Sequence, residues 1–255
     1  TDNSVSVFNS NDQMPTNADG TMPFKQNSDL FWMTGINQED TTLIIAKING
    51  EIFEKLYIKE TNEHISIWEG EKLTKEKAFE TSGIKTVYWL NQFESIFRQL
   101  VIESEQVYLN SNEHLRTNNV MQTREDRFVE RFKKDFPQHT IKRSAPIMHQ
   151  IRSVKDPIEI SIMQQACDIT EKGFRRILSF IKRGVMEYEI EAELMHEFLN
   201  NRSKGFAYTP IVGSGSAACV LHYIENNKKC KDGDVILMDF GAEYANYASD
   251  LTRCV

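Results

Sequence analysis

Apolar residues recur along this chain with two periods, and the period changes several times. TTLIIAKINGEIFEKLYIKE (41–60) alternates on both sides of Asn49-Gly50, a dipeptide suited to two successive positive φ angles, and this predicts a β-hairpin with a type I′ turn. KTVYWL (85–90) reads as a strand, FESIFRQLVIES (93–104) as a helix with Phe93, Ile96, Phe97 and Leu100 on one face, and EQVYLN (105–110) as a further strand. Alternation of this kind predicts an α/β unit.

The patterning breaks at SAPIMHQIRSVKDPIEI (144–160), where two prolines and several basic residues intervene. We place a domain boundary here, giving domains 1–145 and 146–255. Asp156, Pro157 and Glu159 then combine an N-cap acid, a proline at the first helical position and an acid at the third, which predicts a helix start. Ile162, Ala166, Ile169, Phe174 and Ile177 carry this helix toward Gly184. A second helix with Ile190, Leu194, Phe198 and Leu199 on its apolar face runs toward Gly205, and beyond it the text is strand-like. No internal repeat or low-complexity tract interrupts the chain, and the charged text from FEKLYIKE through TNEHISIWEGEKLTKEK reads as solvated surface.

Length adds that 255 residues suffice for two ordinary cores. A formal charge of −7 argues against nucleic acid as the main partner. No apolar run approaches the roughly 18 residues of a membrane span, and the polar N-terminal text lacks the blocks of a signal peptide. Cys167, Cys219, Cys230 and Cys254 are far apart with no CxxC spacing, which suits a reducing compartment, so the expected location is the cytoplasm.

The chemistry gathers near the C-terminal end. If VILMDFGAEYANYASDLTR forms a hairpin centred between Tyr244 and Ala245, Asp239 and Asp250 face each other on one side of a sheet. Two carboxylates so close repel unless they share a proton or a cation, and hard oxygen ligands fit Mn²⁺ or Mg²⁺. The plainer alternative is a pair of surface carboxylates, since Asp is common at strand ends and turns. Upstream, Gly213, Gly215 and Ala218 satisfy GxGxxA, but no helix start follows, so a tight turn or a close backbone approach explains the glycines better. His222, taken alone, reads as a hydrogen-bonded structural histidine rather than a catalyst, and its neighbours change that reading.

Taken in order, YTPIVGSG, LHYIENN and KDGDVILMDFGAEYANYASDLTR closely resemble the aminopeptidase P group of the pita-bread metallopeptidases, which also includes prolidases. The text from Ile151 to Thr170 is similar to the start of that family's catalytic domain, and residues 14–36 to its N-terminal domain. The resemblance implies an α/β creatinase-like N-terminal domain followed by the first part of an α+β pita-bread domain. It implies that Asp239 and Asp250 are metal ligands, Asp250 bridging two ions, that His222 donates to the scissile peptide or the developing intermediate, and that Tyr208 lines the substrate pocket. It further implies two Mn²⁺ ions, hydrolysis of an N-terminal Xaa-Pro bond, peptide substrates with proline second, no nucleic-acid or membrane partner, and a homodimer or homotetramer when complete.

The resemblance covers the front half of the catalytic domain, and a histidine and two glutamate ligands usual in the family have no counterpart here. This chain alone is therefore expected to bind metal weakly or not at all, to be inactive, and to stop within a buried strand. Asn246, where the family often has Gly, is expected to tolerate positive φ, and Cys254 to be buried. Two other readings stay open: a prolidase-type dipeptidase, and a non-catalytic pita-bread module that binds peptide or protein.

Overall fold

The computed structural model of the chain describes residues 2–117 and 120–255, in two compact units, Thr1–Val154 and Lys155–Val255. In the first unit β1 (Ser4–Asn9) is followed by the short pair β2 (Pro15–Asn17) and β3 (Gly20–Thr21), then α1 (Ser28–Thr34) and the hairpin of β4 (Thr42–Ile48) and β5 (Glu51–Ile58). Next come α2 (Glu63–Trp68), α3 (Lys75–Ser82), β6 (Val87–Trp89), α4 (Phe93–Ile102), β7 (Gln106–Leu109), α5 (Arg124–Asp135), β8 (Ile141–Arg143) and α6 (Ala145–Ser153). The hairpin forms as its sequence requires: Ile48 pairs with Glu51, and Asn49 and Gly50 take φ of 51° and 84°.

Six strands form one mixed sheet in the order β6-β5-β4-β1-β7-β8. Strand alternation divides its apolar residues between two helical layers. Val5, Val7, Ile44, Ala46 and Tyr57 meet Phe93, Phe97, Phe128 and Phe132 from α4 and α5 on one face. Phe8, Leu43, Leu56 and Ile58 meet Leu30, Ala78 and Met148 from α1, α3 and α6 on the other.

The division between units falls after Val154, not at the residue 145/146 boundary drawn from the prolines. Pro146 and Pro157 open helices, where a missing N–H costs nothing. Helix α6 belongs to the first unit because Met148 is buried in its core and Arg152 pairs with Asp29 at 2.5 Å.

The second unit starts with α7 (Pro157–Phe180) and α8 (Glu187–Asn200). Asp156 caps α7 by accepting from the Ile158 and Glu159 amides at 2.9 and 3.1 Å, while Glu159 accepts from the Asp156 amide at 3.1 Å. The strands are β9 (Gly205–Phe206), β10 (Ile211–Ser214), β11 (Ile236–Phe240), β12 (Ala242–Tyr244), β13 (Tyr247–Ala248) and β14 (Leu251–Cys254). They form two three-stranded sheets, β10-β11-β14 and β13-β12-β9. Ile169 and Ile177 of α7 and Ile190, Leu194 and Phe198 of α8 cover Val212, Ile236, Met238, Phe240 and Ala242.

Three details differ from the sequence reading. Helix α7 stops at Phe180, Leu199 is exposed while Phe198 is buried, and residues 220–235 run without a named strand apart from a bridge between Met186 and Lys229. Strand β14 pairs with β11 alone among the described strands, so Cys254, expected to be buried, is exposed. No helix among the described residues is long and apolar enough to cross a membrane.

Candidate metal centre

The turn after β12 lies one residue later than its sequence suggested. Ala245 and Asn246 both take positive φ, 49° and 65°, so Tyr244 pairs with Tyr247 and Glu243 with Ala248. Upstream, Asp239 pairs with Thr252, and the expected Asp239–Asp250 opposition is replaced by a diagonal relation two positions apart. A two-residue shift preserves side-chain parity, so the face predicted for both aspartates survives. Met238 and Phe240 point into the helical core, while Asp239 shares the opposite face with Leu237.

On that face Tyr208 joins the two acids. It lies between β9 and β10, held by the pairing of Phe206 with Ala242 and by a 2.8 Å bond from the Ala207 amide to the Gly241 carbonyl. Its hydroxyl is 2.6 Å from Asp239 Oδ1 and 3.1 Å from Asp250 Oδ1. Burial, then the Asp239 and Asp250 carboxylates, push the phenol far above its ordinary range, so it stays a donor. One phenolic proton satisfies one oxygen well, and the shorter contact goes to Asp239. The half-buried Asp239 and the exposed Asp250 thus converge with one shared proton between them, an arrangement that a cation would balance. The donor set is hard oxygen and fits a divalent ion of the Mn²⁺, Mg²⁺ or Zn²⁺ type, but supplies only part of a coordination shell. No group of three or more His, Cys, Asp or Glu side chains is poised for a metal among the described residues.

A buried polar crossing fixes the backbone beside the acids. Thr170 of α7 places its hydroxyl 2.6 Å from the Ser249 hydroxyl, and the Ala242 amide donates to both, each at 2.9 Å. The Ser249 amide and hydroxyl in turn donate to the Ala242 carbonyl, each at 3.1 Å. Between them Gly241 brings the strands into close approach: a Cβ there would lie 1.9 Å from the Ser249 carbonyl oxygen. Asp250 follows Ser249 directly, and Asp239 lies three residues before Ala242. Neither Thr170 nor Ser249 carries a local sequence signal, because their contact spans 79 positions.

His222 is exposed, and no hydrogen bond links it to Tyr208, Asp239 or Asp250. The glycine segment upstream makes close approaches, as expected. A Cβ at Gly213 would meet Ala217 backbone at 2.9 Å, and Gly215, with φ +55°, opens a five-residue 3₁₀ turn too short to cradle a dinucleotide.

Residues 1–108 match the aminopeptidase P N-terminal domain, and residues 161–255 match metallopeptidase family M24. Xaa-Pro aminopeptidase of Haemophilus influenzae is 30% identical over 251 residues, covering 98% of this chain and 56% of that protein. Its Escherichia coli counterpart is 29% identical over 247 residues, covering 94% and 55%. The chain thus spans about half the length of these curated relatives. Among solved structures, a low-pH form of E. coli aminopeptidase P superposes with a TM-score of 0.89 at 28% identity, over 100% of this chain and 58% of that one. A zinc-substituted form with product reaches 0.87 at 28%, over 99% and 58%. The first unit therefore has the α/β fold of the family's N-terminal domain, and the second is the start of its pita-bread domain. With both matches in the family's order along one chain, this polypeptide belongs to the aminopeptidase P group of the M24 metallopeptidases.

Proposed function

We propose that the protein is a metal-dependent Xaa-Pro aminopeptidase, releasing the first residue of peptides whose second residue is proline. The observation that carries this reading is the convergence of Asp239 and Asp250 on the Tyr208 hydroxyl, in a chain of a metallopeptidase family. Asp239 and Asp250 would hold two Mn²⁺ ions, Asp250 reaching both. When bound, the metal polarises the peptide carbonyl and acidifies a water.

The chain's own groups set the rest. Tyr208 keeps its proton and fixes the Asp239 carboxylate through a 2.6 Å bond. His222, solvent-exposed and free to meet a peptide, donates to the scissile amide or to the oxygen that gains charge as the carbonyl is attacked. Two carboxylates form an incomplete shell, so residues 1–255 alone are expected to hold metal weakly and to show no turnover. Four cysteines without a disulfide accord with a cytoplasmic location, and the full-length protein is proposed to be a homodimer or homotetramer.

The test is release of the first residue from a Xaa-Pro-Xaa tripeptide and its Xaa-Ala-Xaa analogue by the full-length protein with Mn²⁺. Chelator-sensitive cleavage of the proline peptide alone is expected. Cleavage restricted to Xaa-Pro dipeptides would make it a prolidase, and no cleavage by folded protein would favour a binding module.

A further inference from the structure

A buried carboxylate in the second unit takes no part in the chemistry above. Glu187, the first residue of α8, has no exposed surface. Its Oε1 accepts from the Ser214 amide at 2.6 Å and the Ser214 hydroxyl at 2.7 Å. Its Oε2 accepts from the Tyr223 hydroxyl and the Lys228 amide, both at 2.8 Å. The Glu187 amide returns a 2.9 Å bond to the Lys228 carbonyl. Burial pushes this carboxyl up, yet the bonds from Lys228, Ser214 and Tyr223 outweigh it and hold the group below its usual value. A buried carboxylate is costly unless its lone pairs are used, and four donors use them here.

The donors come from places that bear on the site. Ser214 ends β10, the strand whose Ile211 pairs with Asp239. Tyr223 and Lys228 bracket a segment without helix or strand, and His222 immediately precedes Tyr223. Tyr223 is buried with Ile211 and Ala217 against Leu237, on the sheet face that carries Asp239. Asn226, with φ +44° and 3% exposed, fastens the same segment again. Its Oδ1 accepts from the Val212 amide at 2.9 Å, and its Nδ2 donates to the Pro210 carbonyl at 3.0 Å and to Glu191 at 2.8 Å. His222 therefore projects from an arm pinned to β10 and to α8.

We propose that Glu187 is a positioning residue: through Tyr223 and Lys228 it fixes the arm that carries His222 relative to the strand that carries Asp239. The proposal rests on the reading of His222 as a donor to the peptide. A carboxylate suits the task because it accepts at both oxygens, whereas an amide would turn one of them into a donor facing donors.

The experiment compares Glu187→Gln and Tyr223→Phe in the full-length protein, each alone and combined with His222→Ala. Tyr223→Phe keeps the ring and removes the hydroxyl, with its 2.8 Å bond to Glu187 and its longer contacts to Asn227 within the same segment, so it serves if Glu187→Gln folds poorly. Each single change is expected to lower kcat on the Xaa-Pro tripeptide roughly ten- to a hundredfold with a smaller effect on KM. Neither should lower kcat further once His222 is Ala. In parallel, amide hydrogen exchange over residues 220–228 should quicken in Glu187→Gln. Losses that add to that of His222→Ala, or unchanged exchange over 220–228, would overturn the proposal. If the wild type cleaves no Xaa-Pro peptide, the functional reading fails, while the exchange experiment still decides whether Glu187 pins the arm.

Discussion

At the scale of single residues, charge placement follows from how many donors each buried acid meets. Glu187 meets four, whereas Glu125 meets two, both from Asn9: its amide to Oε1 at 3.0 Å and its side chain to Oε2 at 2.9 Å. Burial dominates at Glu125, outweighing the Asn9 bonds, and pushes its pKa up to about 7. The folded state then keeps a proton that the unfolded chain loses near 4.5, so stability falls as pH rises through this window and levels off above 7. The loss is on the order of 3 kcal/mol. Trp32, Trp68 and Trp89 all lie in the first unit, so urea unfolding followed by tryptophan fluorescence reports it selectively. The midpoint is expected to drop between pH 5 and 8 in the wild type and to stay level in Glu125→Gln. That Asp239 and Asp250 share one sheet face was legible in the sequence because parity, not exact register, decides the face. The register itself was not, since a positive φ at Ala245 has no compositional mark.

At the scale of elements, strong local signals translated directly. The Asn49-Gly50 hairpin, the Asp156–Glu159 capping box and the apolar stripe of α4 all formed where their residues placed them. Elements built from long-range polar contacts were hidden. Thr170 reads as one more residue of α7, Ser249 as one more turn residue, and Glu187 as a favourable acid in a first helical turn. Segment 220–228 belongs to the text read as strand-like, yet bonds from Tyr223 and Lys228 to Glu187 and from Val212 to Asn226 hold it without a sheet. The Thr170–Ser249–Ala242 crossing ties α7 to the kink between the two sheets, directly beside Asp250. Thr170→Val keeps the shape and deletes the hydroxyl. It is expected to cost about 1–3 kcal/mol and to weaken metal binding by the full-length protein about tenfold or more. Thr170→Ser should restore both. A competition titration against a chromophoric chelator reads the affinity, and an unchanged value in Thr170→Val would show that the crossing does not orient the acids.

At the scale of the whole molecule, two units with separate cores carry the order of an aminopeptidase P. The first offers an α/β scaffold, and the second brings the Asp239 and Asp250 carboxylates together on the Tyr208 hydroxyl beside two three-stranded sheets. Everything functional here turns on whether Asp239 and Asp250 are metal ligands with unequal parts, one ion for Asp239 and both for Asp250. The direct measurement is calorimetric titration of Mn²⁺ into metal-stripped full-length protein, wild type beside Asp239→Asn and Asp250→Asn. Two ions per chain are expected in the wild type, one in Asp239→Asn and none of comparable affinity in Asp250→Asn. Retention of two tightly bound ions by Asp250→Asn would contradict the assignment of a metal centre to this pair.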